Sequence, residues 1–340
     1  MSVAAANDVN ANGSSKRSRW GRIAAAAVTV LILAVLGVYL HRNQEAWRSL
    51  ARARLSAIVA LVLLWTLMSL IGGYMNCIMF RLFGVRLRFV EWFGLPVAQA
   101  MTSYVIPFRG GAAITAVYLK KQCGLAYSKF LACLLCVYAL FLVSTGPVAC
   151  LLLGAIALAG RRWHPGLFVF FLVFTAVSWV GWVLLPRIKW PGKRFGRIAA
   201  SVHQGWLDLR EDRRLTLKVV VLVWLLTGIT GLRVYIAMRS LGVSYGILEA
   251  CITGIVLRYS ILFKIVPGNL GVHEGLVGIA SKLFGYPPEM GVAAALLLRG
   301  VNVAMLFALG PIFAYVFTHR LATGPSPGAQ AVRESESATP

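Results

Sequence analysis

"KIVPGNLGVHEGL", Lys264–Leu276, is the stretch on which the fold of this chain turns. It lies between two apolar runs, "ACITGIVLRYSILF" and "VGIASKLFG". Where a membrane helix would be expected, it places Lys264, His273, Glu274, Pro267 and the glycines Gly268, Gly271 and Gly275. Proline cannot donate to the helix ladder, and glycine lets the chain turn. Charges at membrane depth are expensive and usually face a cavity or one another. Irregular backbone at that depth is tolerated only against protein or water. The stretch therefore predicts a broken helix restarting near Asn269–Val272, with free N–H groups that suit an anion.

The rest of the chain provides the membrane context. Of 340 residues, 59% are hydrophobic and 13% charged, about half the charged share of a soluble domain. The mean hydropathy is +0.76, and several runs reach the roughly 20 apolar residues that cross a bilayer core. This is the composition of an all-α, polytopic integral membrane protein of about seven to nine helices. Lys and Arg outnumber Asp and Glu by 34 to 11. In a membrane chain that excess reads as cytoplasmic loops facing anionic headgroups, so no nucleic-acid partner is expected.

The polar, basic residues 1–19 lead into the apolar run "IAAAAVTVLILAVLGVYL". With no small-x-small cleavage site after it, the run reads as a retained first helix with a cytoplasmic N-terminus. Further spans are expected over about Leu55–Phe80, Phe89–Ile106, Lys129–Ala159 with a break at Gly146–Pro147, Gly166–Leu185, Leu217–Met238, Ala250–Val266 and Met290–Phe317. Residues 187–218 carry nine Lys/Arg against three acids and are expected on the cytoplasmic side, with a surface-lying amphipathic helix. Residues 321–340 read as a disordered tail. The pair Cys133 and Cys136 lies on one face of an apolar run, where packing is the simpler reading than redox chemistry.

The membrane part, about residues 20–320, repeats itself. Leu61–Glu91 aligns without a gap on Val219–Glu249, with about a third of positions identical. The matches include Gly73 with Gly231 and Arg81-x-x-Gly84-Val85 with Arg239-x-x-Gly242-Val243. Shifts of two and three residues bring Pro107 onto Pro267 and Gly124 onto Gly285. Shared Leu and Val arise cheaply by chance, but the ordered series Arg, Gly, Glu, Pro, Gly points to duplication of units at about 55–160 and 215–319. A basic first loop, "RLFGVRLR", against a weakly basic second, "RSLGVSYG", suggests an inverted pair with broken or re-entrant helices. One loop conflicts: His41–Arg54 carries four arginines yet falls outside in this arrangement.

The motif "PGNLGVHEG", followed by "GYPPEMGVAAALLLRGVNV", resembles the signature of the lysylphosphatidylglycerol synthase transmembrane region, also called the flippase-like domain. "IPFRGGAAITAVYLKK" resembles that family's earlier Pro-x-Arg-x-Gly segment. Two positions depart from the pattern: Ala112 stands where a Glu is common, and Asn269 where a second Gly is usual. The resemblance implies a protein that moves lipids between leaflets of the inner membrane. In the multiple peptide resistance factor such a region translocates lipids made by a separate synthase domain. That domain is not expected in this chain, and neither is lysyltransferase activity.

Candidate substrate-binding residues are Arg109, Lys120, Lys121, Arg258, Lys264, Asn269, His273, Glu274 and Arg299. Candidate backbone breaks are Pro107, Gly110, Gly111, Pro267, Gly268, Gly271 and Gly275. Each has a plainer alternative. The Pro and Gly residues could kink a helix for packing, and Lys120 and Lys121 could snorkel to the interface. Glu274 is expected to pair with Arg299 first and Arg258 second, either as a structural bridge or as an ion pair that an anionic headgroup competes for. His273-Glu274 is no zinc motif, because position 277 is Val rather than His. No P-loop, metal-ligand cluster or nucleophile–base pair is present, so no cofactor, metal or catalytic residue is expected. Two function classes stand: a flippase for an anionic phospholipid, glycolipid or isoprenoid-linked lipid, or a non-catalytic accessory subunit. The latter would partner a lipid-modifying enzyme or glycosyltransferase.

Overall fold

The computed structural model describes residues 54–105, 110–160, 164–184, 211–260 and 271–322, together with Gln204, Leu207 and Asn269. Those residues form α1 (Leu55–Arg81), α2 (Phe89–Val105), α3 (Gly110–Cys123), α4 (Tyr127–Leu158), α5 (Pro165–Leu184), α6 (Arg213–Ser240), α7 (Ile247–Tyr259), α8 (Val272–Leu283) and α9 (Pro288–Ala322). The chain is an all-α polytopic membrane protein. Of the described helices, α1, α4, α5, α6 and α9 are long and apolar enough to cross a bilayer. The other four, of 17, 14, 13 and 12 residues, are about 18–26 Å long and fall short of the roughly 30 Å hydrocarbon core. The outward side chains of α5, such as Val169, Phe170, Leu172 and Val177, are exposed on an apolar surface suited to lipid.

The order long–short–short–long occurs twice, as α1–α4 and α6–α9, and the turns match. After α1, Gly84 has φ +79° and the Val85 N–H bonds to the Phe80 carbonyl at 3.1 Å. After α6, Gly242 has φ +83° and the Val243 N–H bonds to the Met238 carbonyl at 3.1 Å. Both are glycine helix stops of the Schellman kind, in which the left-handed residue lets the next N–H reach back five positions. Gly73 and Gly231 also match. A Cβ on Gly73 would strike the backbone of Trp92 on α2, and one on Gly231 the backbone of Cys251 on α7. Gly124 (φ +70°) and Gly285 (φ +82°) close α3 and α8, with the next N–H reaching back to Leu119 at 3.2 Å and to Ser281 at 2.8 Å.

The short helices form two hairpins. Gly111 near the start of α3 lies against the Gln99 carbonyl and Ser103 near the end of α2. At the other end, the Tyr118 hydroxyl donates to Glu91 Oε1 at 3.1 Å, so α2 and α3 are antiparallel and the chain leaves where it entered. The α7–α8 pair does likewise, with the rings of Tyr245 and Tyr286 at 4.6 Å and the Tyr286 hydroxyl 3.3 Å from the Ser244 carbonyl.

Helix α9 relates the two hairpins. It starts beside Tyr286, where the α7–α8 hairpin begins. It ends where Arg320 Nη1 lies 3.2 Å from Glu91 and the Arg320 carbonyl accepts from Gln122 Nε2 at 2.6 Å. Since α9 crosses the bilayer, the hairpins enter from opposite faces, which is the geometry of an inverted repeat. His164, at the start of α5, lies 5.4 Å from Phe284 (ring centroids), on the face of the second hairpin.

Some expectations are corrected. Helix α4 runs unbroken through Gly146–Pro147. Thr145 Oγ1 donates to the Phe141 carbonyl at 2.6 Å, and the Ser144 carbonyl accepts Trp224 Nε1 at 3.3 Å. Hydroxyls and neighbouring helices thus serve the backbone around the proline. Gly110 and Gly111 are helical, as the first turn of α3, and Gly275 lies within α8. Gly111 serves close approach, not a break. The described part of α9 extends to Ala322, two residues into the stretch assigned to the tail. The first apolar run, the amphipathic segment and Pro107, Arg109, Lys264, Pro267 and Gly268 lie outside the described residues.

Candidate functional site

The site is the second break, where α7 ends and α8 begins. Gly271 caps α8 with φ +79°, a conformation glycine adopts without strain. Asn269 has φ +55°, in the left-handed region where asparagine is the usual substitute for glycine. That accounts for the departure from the signature at this position. Its side chain adds what glycine cannot: Nδ2 donates to the carbonyl and the hydroxyl of Ser260, both at 3.1 Å. Asn269 and Ser260 are both buried. The break is thereby stitched to the end of α7.

Glu274 holds the other side. It is the third residue of α8, and its Oε2 accepts the Gly271 N–H at 2.9 Å, one half of a capping box. The carboxylate is 2% exposed. It is neutralised by Arg299 of α9, whose Nε donates to Oε1 and whose Nη2 donates to Oε2 at 3.1 Å. Such a two-point fork is the strong form of a charge-assisted bond. Arg299 Nη2 also reaches the Asn269 carbonyl at 3.1 Å. One guanidinium thus ties α9 to the helix cap and to the irregular backbone before it.

Arg258 differs. It lies in the last turn of α7, with its guanidinium 5.4 Å from the ring centroid of Phe141 on α4, within cation–π range. Its Nε is buried without a hydrogen-bond partner, and among the described residues it forms no salt bridge. Next to it, the Tyr259 hydroxyl lies 3.1 Å from Thr145 Oγ1. The Tyr259 ring meets Phe141, Phe171 and Phe174 at 5.2, 5.8 and 5.0 Å. Arg258 therefore emerges from an aromatic wall built by α4, α5 and α7.

Of the other candidates, His273 is half-buried on the first turn of α8. The structure does not bring Lys120 and Lys121 to this break. They are exposed at the end of α3, on the face where the first hairpin enters, with Lys120 Nζ 4.5 Å from the Tyr127 ring. Two participants were not singled out from sequence: Ser260 and Asn302. Asn302 follows Arg299 by three residues, on the same face of α9, and its Oδ1 accepts Arg233 Nη2 at 2.6 Å. That spacing is a signal that could have revealed it. Ser260 had no such signal.

The family model described as Lysylphosphatidylglycerol synthase TM region matches residues 22–310. The chain belongs to that family. Neither the curated proteins nor the solved structures yield a match. In this member of the lysylphosphatidylglycerol synthase TM region family, the described residues form the membrane region, and no soluble synthase domain is evident among them. The protein is a multi-pass membrane protein.

Proposed function

We propose that this protein is a flippase that moves an anionic phospholipid, glycolipid or isoprenoid-linked lipid between the leaflets of the inner membrane, without covalent chemistry of its own. The observation that carries this reading is the pair of re-entrant hairpins entering from opposite faces, one with a charged, buried break. Transporters place substrate sites at such breaks, between inverted repeats, because freed backbone groups and charges can face a ligand there.

The reading includes orientation. Arg81, Arg88, Lys121, Arg214 and Lys218 lie at the ends of helices on the face of the first hairpin, which we place in the cytoplasm by the positive-inside rule. If the first apolar run of the sequence crosses the membrane once, the N-terminus lies on the cytoplasmic side as well. The test is reconstitution of the purified chain in vesicles containing phosphatidylglycerol labelled with a reducible fluorophore. Transport is expected to expose inner-leaflet label to external dithionite faster than in empty vesicles. A rate equal to that of empty vesicles refutes the reading, and activity only with a co-reconstituted lipid-modifying enzyme favours the accessory-subunit alternative.

A further inference from the structure

We propose that Arg258 is the cation that binds the headgroup of the transported lipid, as a phosphodiester monoanion held against the guanidinium edge while Phe141 covers its face. We also propose that Arg299 positions the break and does not bind the ligand. The identification of the ligand as a lipid rests on the transport reading above; the anion site itself stands on geometry.

The two arginines were equivalent candidates in the sequence, and the structure separates them. The Nε and Nη2 donors of Arg299 are directed at the two carboxylate oxygens of Glu274 and at the Asn269 carbonyl. A headgroup could capture Arg299 only by stripping a buried carboxylate of its counter-charge and uncapping α8. The cost of breaking one buried pair to form another makes that exchange unfavourable.

Arg258 carries no such load. A guanidinium has five N–H donors in one plane. The Phe141 ring centroid lies 5.4 Å from its guanidinium carbon, and the Nε lacks an acceptor. A cation at membrane depth without a carboxylate is a costly arrangement to maintain. A ligand that brings one negative charge removes that cost while it is bound. Glu274 and Arg299 cancel, whereas Arg258 forms no salt bridge among the described residues, which favours an anionic headgroup over a neutral one. Arg258 lies on the last turn of α7, two residues before the Ser260 that holds Asn269.

The repeat supports the assignment. In the first unit the positions corresponding to Glu274 and Arg299, by the three-residue shift that aligns Gly124 with Gly285, are Ala113 and Tyr138. That unit has no equivalent ion pair at these positions, and the position of Arg258 falls on Ala98 or Ala100 according to the shift. Arg258 therefore has no counterpart at the matching position of the first unit and is not a by-product of duplication.

The test uses the purified full chain in neutral detergent and follows its thermal unfolding midpoint as short-chain phosphatidylglycerol, short-chain phosphatidylcholine or inorganic phosphate is added. Phosphatidylglycerol is expected to raise the midpoint of the wild type in a saturable way. Arg258→Gln is expected to raise the half-saturating concentration about ten- to a hundredfold, the range for losing hydrogen bonds to a charged group. Arg299→Lys is expected to lower the starting midpoint and keep the half-saturating concentration within about threefold. Should Arg258→Gln not fold, Phe141→Leu is expected to weaken binding about threefold or more through loss of the cation–π contact. Wild-type binding by Arg258→Gln, or by Phe141→Leu where that variant stands in for it, overturns the proposal. Equal protection by phosphatidylcholine overturns the monoanion assignment. Equal protection by inorganic phosphate overturns the lipid in favour of a free anion. Normal binding with no lipid movement in vesicles refutes the transport reading alone and leaves the site standing.

Discussion

Replacing Arg299 by Ala removes the fork to Glu274 and the bond to the Asn269 carbonyl together. Glu274 is 2% exposed and, among the described residues, keeps the Gly271 N–H as its partner. Deleting one partner of a buried pair leaves a charge that water cannot reach, and typically costs about 3–5 kcal/mol. The loss should sit at the upper end, because the helix cap and the break share the same guanidinium. Glu274→Gln retains an acceptor for Gly271 and removes only the charge, so about 1.5–3 kcal/mol is expected. The two sites are in contact, so the double variant should fall short of the sum by more than about 1 kcal/mol. Reversible unfolding in mixed micelles, read by circular dichroism on the four proteins of the cycle, measures this. Additivity within about 0.5 kcal/mol, or a cost under about 1 kcal/mol for Arg299→Ala, would show that the ion pair does not hold the break.

Glycine substitutions test the packing. Gly254→Ala should destabilise, because a Cβ there would lie 2.6 Å from the Gly231 nitrogen, whereas Gly228→Ala meets nothing within 4 Å and should be neutral in the same unfolding assay. Gly275→Ala should also be tolerated, or should stabilise by up to about 1 kcal/mol, since it is a helix-interior position with open space around it. A large loss there would restore Gly275 as a break residue. Asn269→Gly should keep the fold, since glycine accepts the same φ, but should lower the midpoint through loss of both bonds to Ser260. Asn269→Ala should cost more than Asn269→Gly, and the reverse order would contradict the left-handed assignment.

Much of this architecture was legible in the sequence because a membrane restricts the options. Apolar length set the bounds of α1 to within a residue, but Phe89–Ile106 and Ala250–Val266 were read as spans, and the described helices there, α2 and α7, are too short to cross. The Arg-x-x-Gly-Val repeat marked two turns whose glycines carry the positive φ that such a stop requires. The pairing of Glu274 with Arg299 followed from the cost of a lone charge. Pro147 was misread as a break, since proline removes one N–H, but Thr145 and Trp224 bond to carbonyls next to it. Gly110, Gly111 and Gly275 were misread for a related reason. Glycine serves close packing as readily as a turn, and sequence alone does not say which backbone lies opposite. The different duties of Arg258 and Arg299 could not be read at all. They depend on which helix faces each guanidinium, Phe141 on α4 in one case and the cap of α8 in the other.

The claim on which the account depends is that the two hairpins enter the membrane from opposite faces. Its most direct test places a single cysteine at Ala126 or at Ser244, both exposed in loops at the mouths of the two hairpins, in a chain whose six native cysteines are replaced. Intact cells are then treated with a membrane-impermeant maleimide before and after permeabilisation. The account predicts that Ser244→Cys is labelled in intact cells and that Ala126→Cys is labelled only once the membrane is opened. Labelling of both from the same side would make the repeats parallel and contradict it.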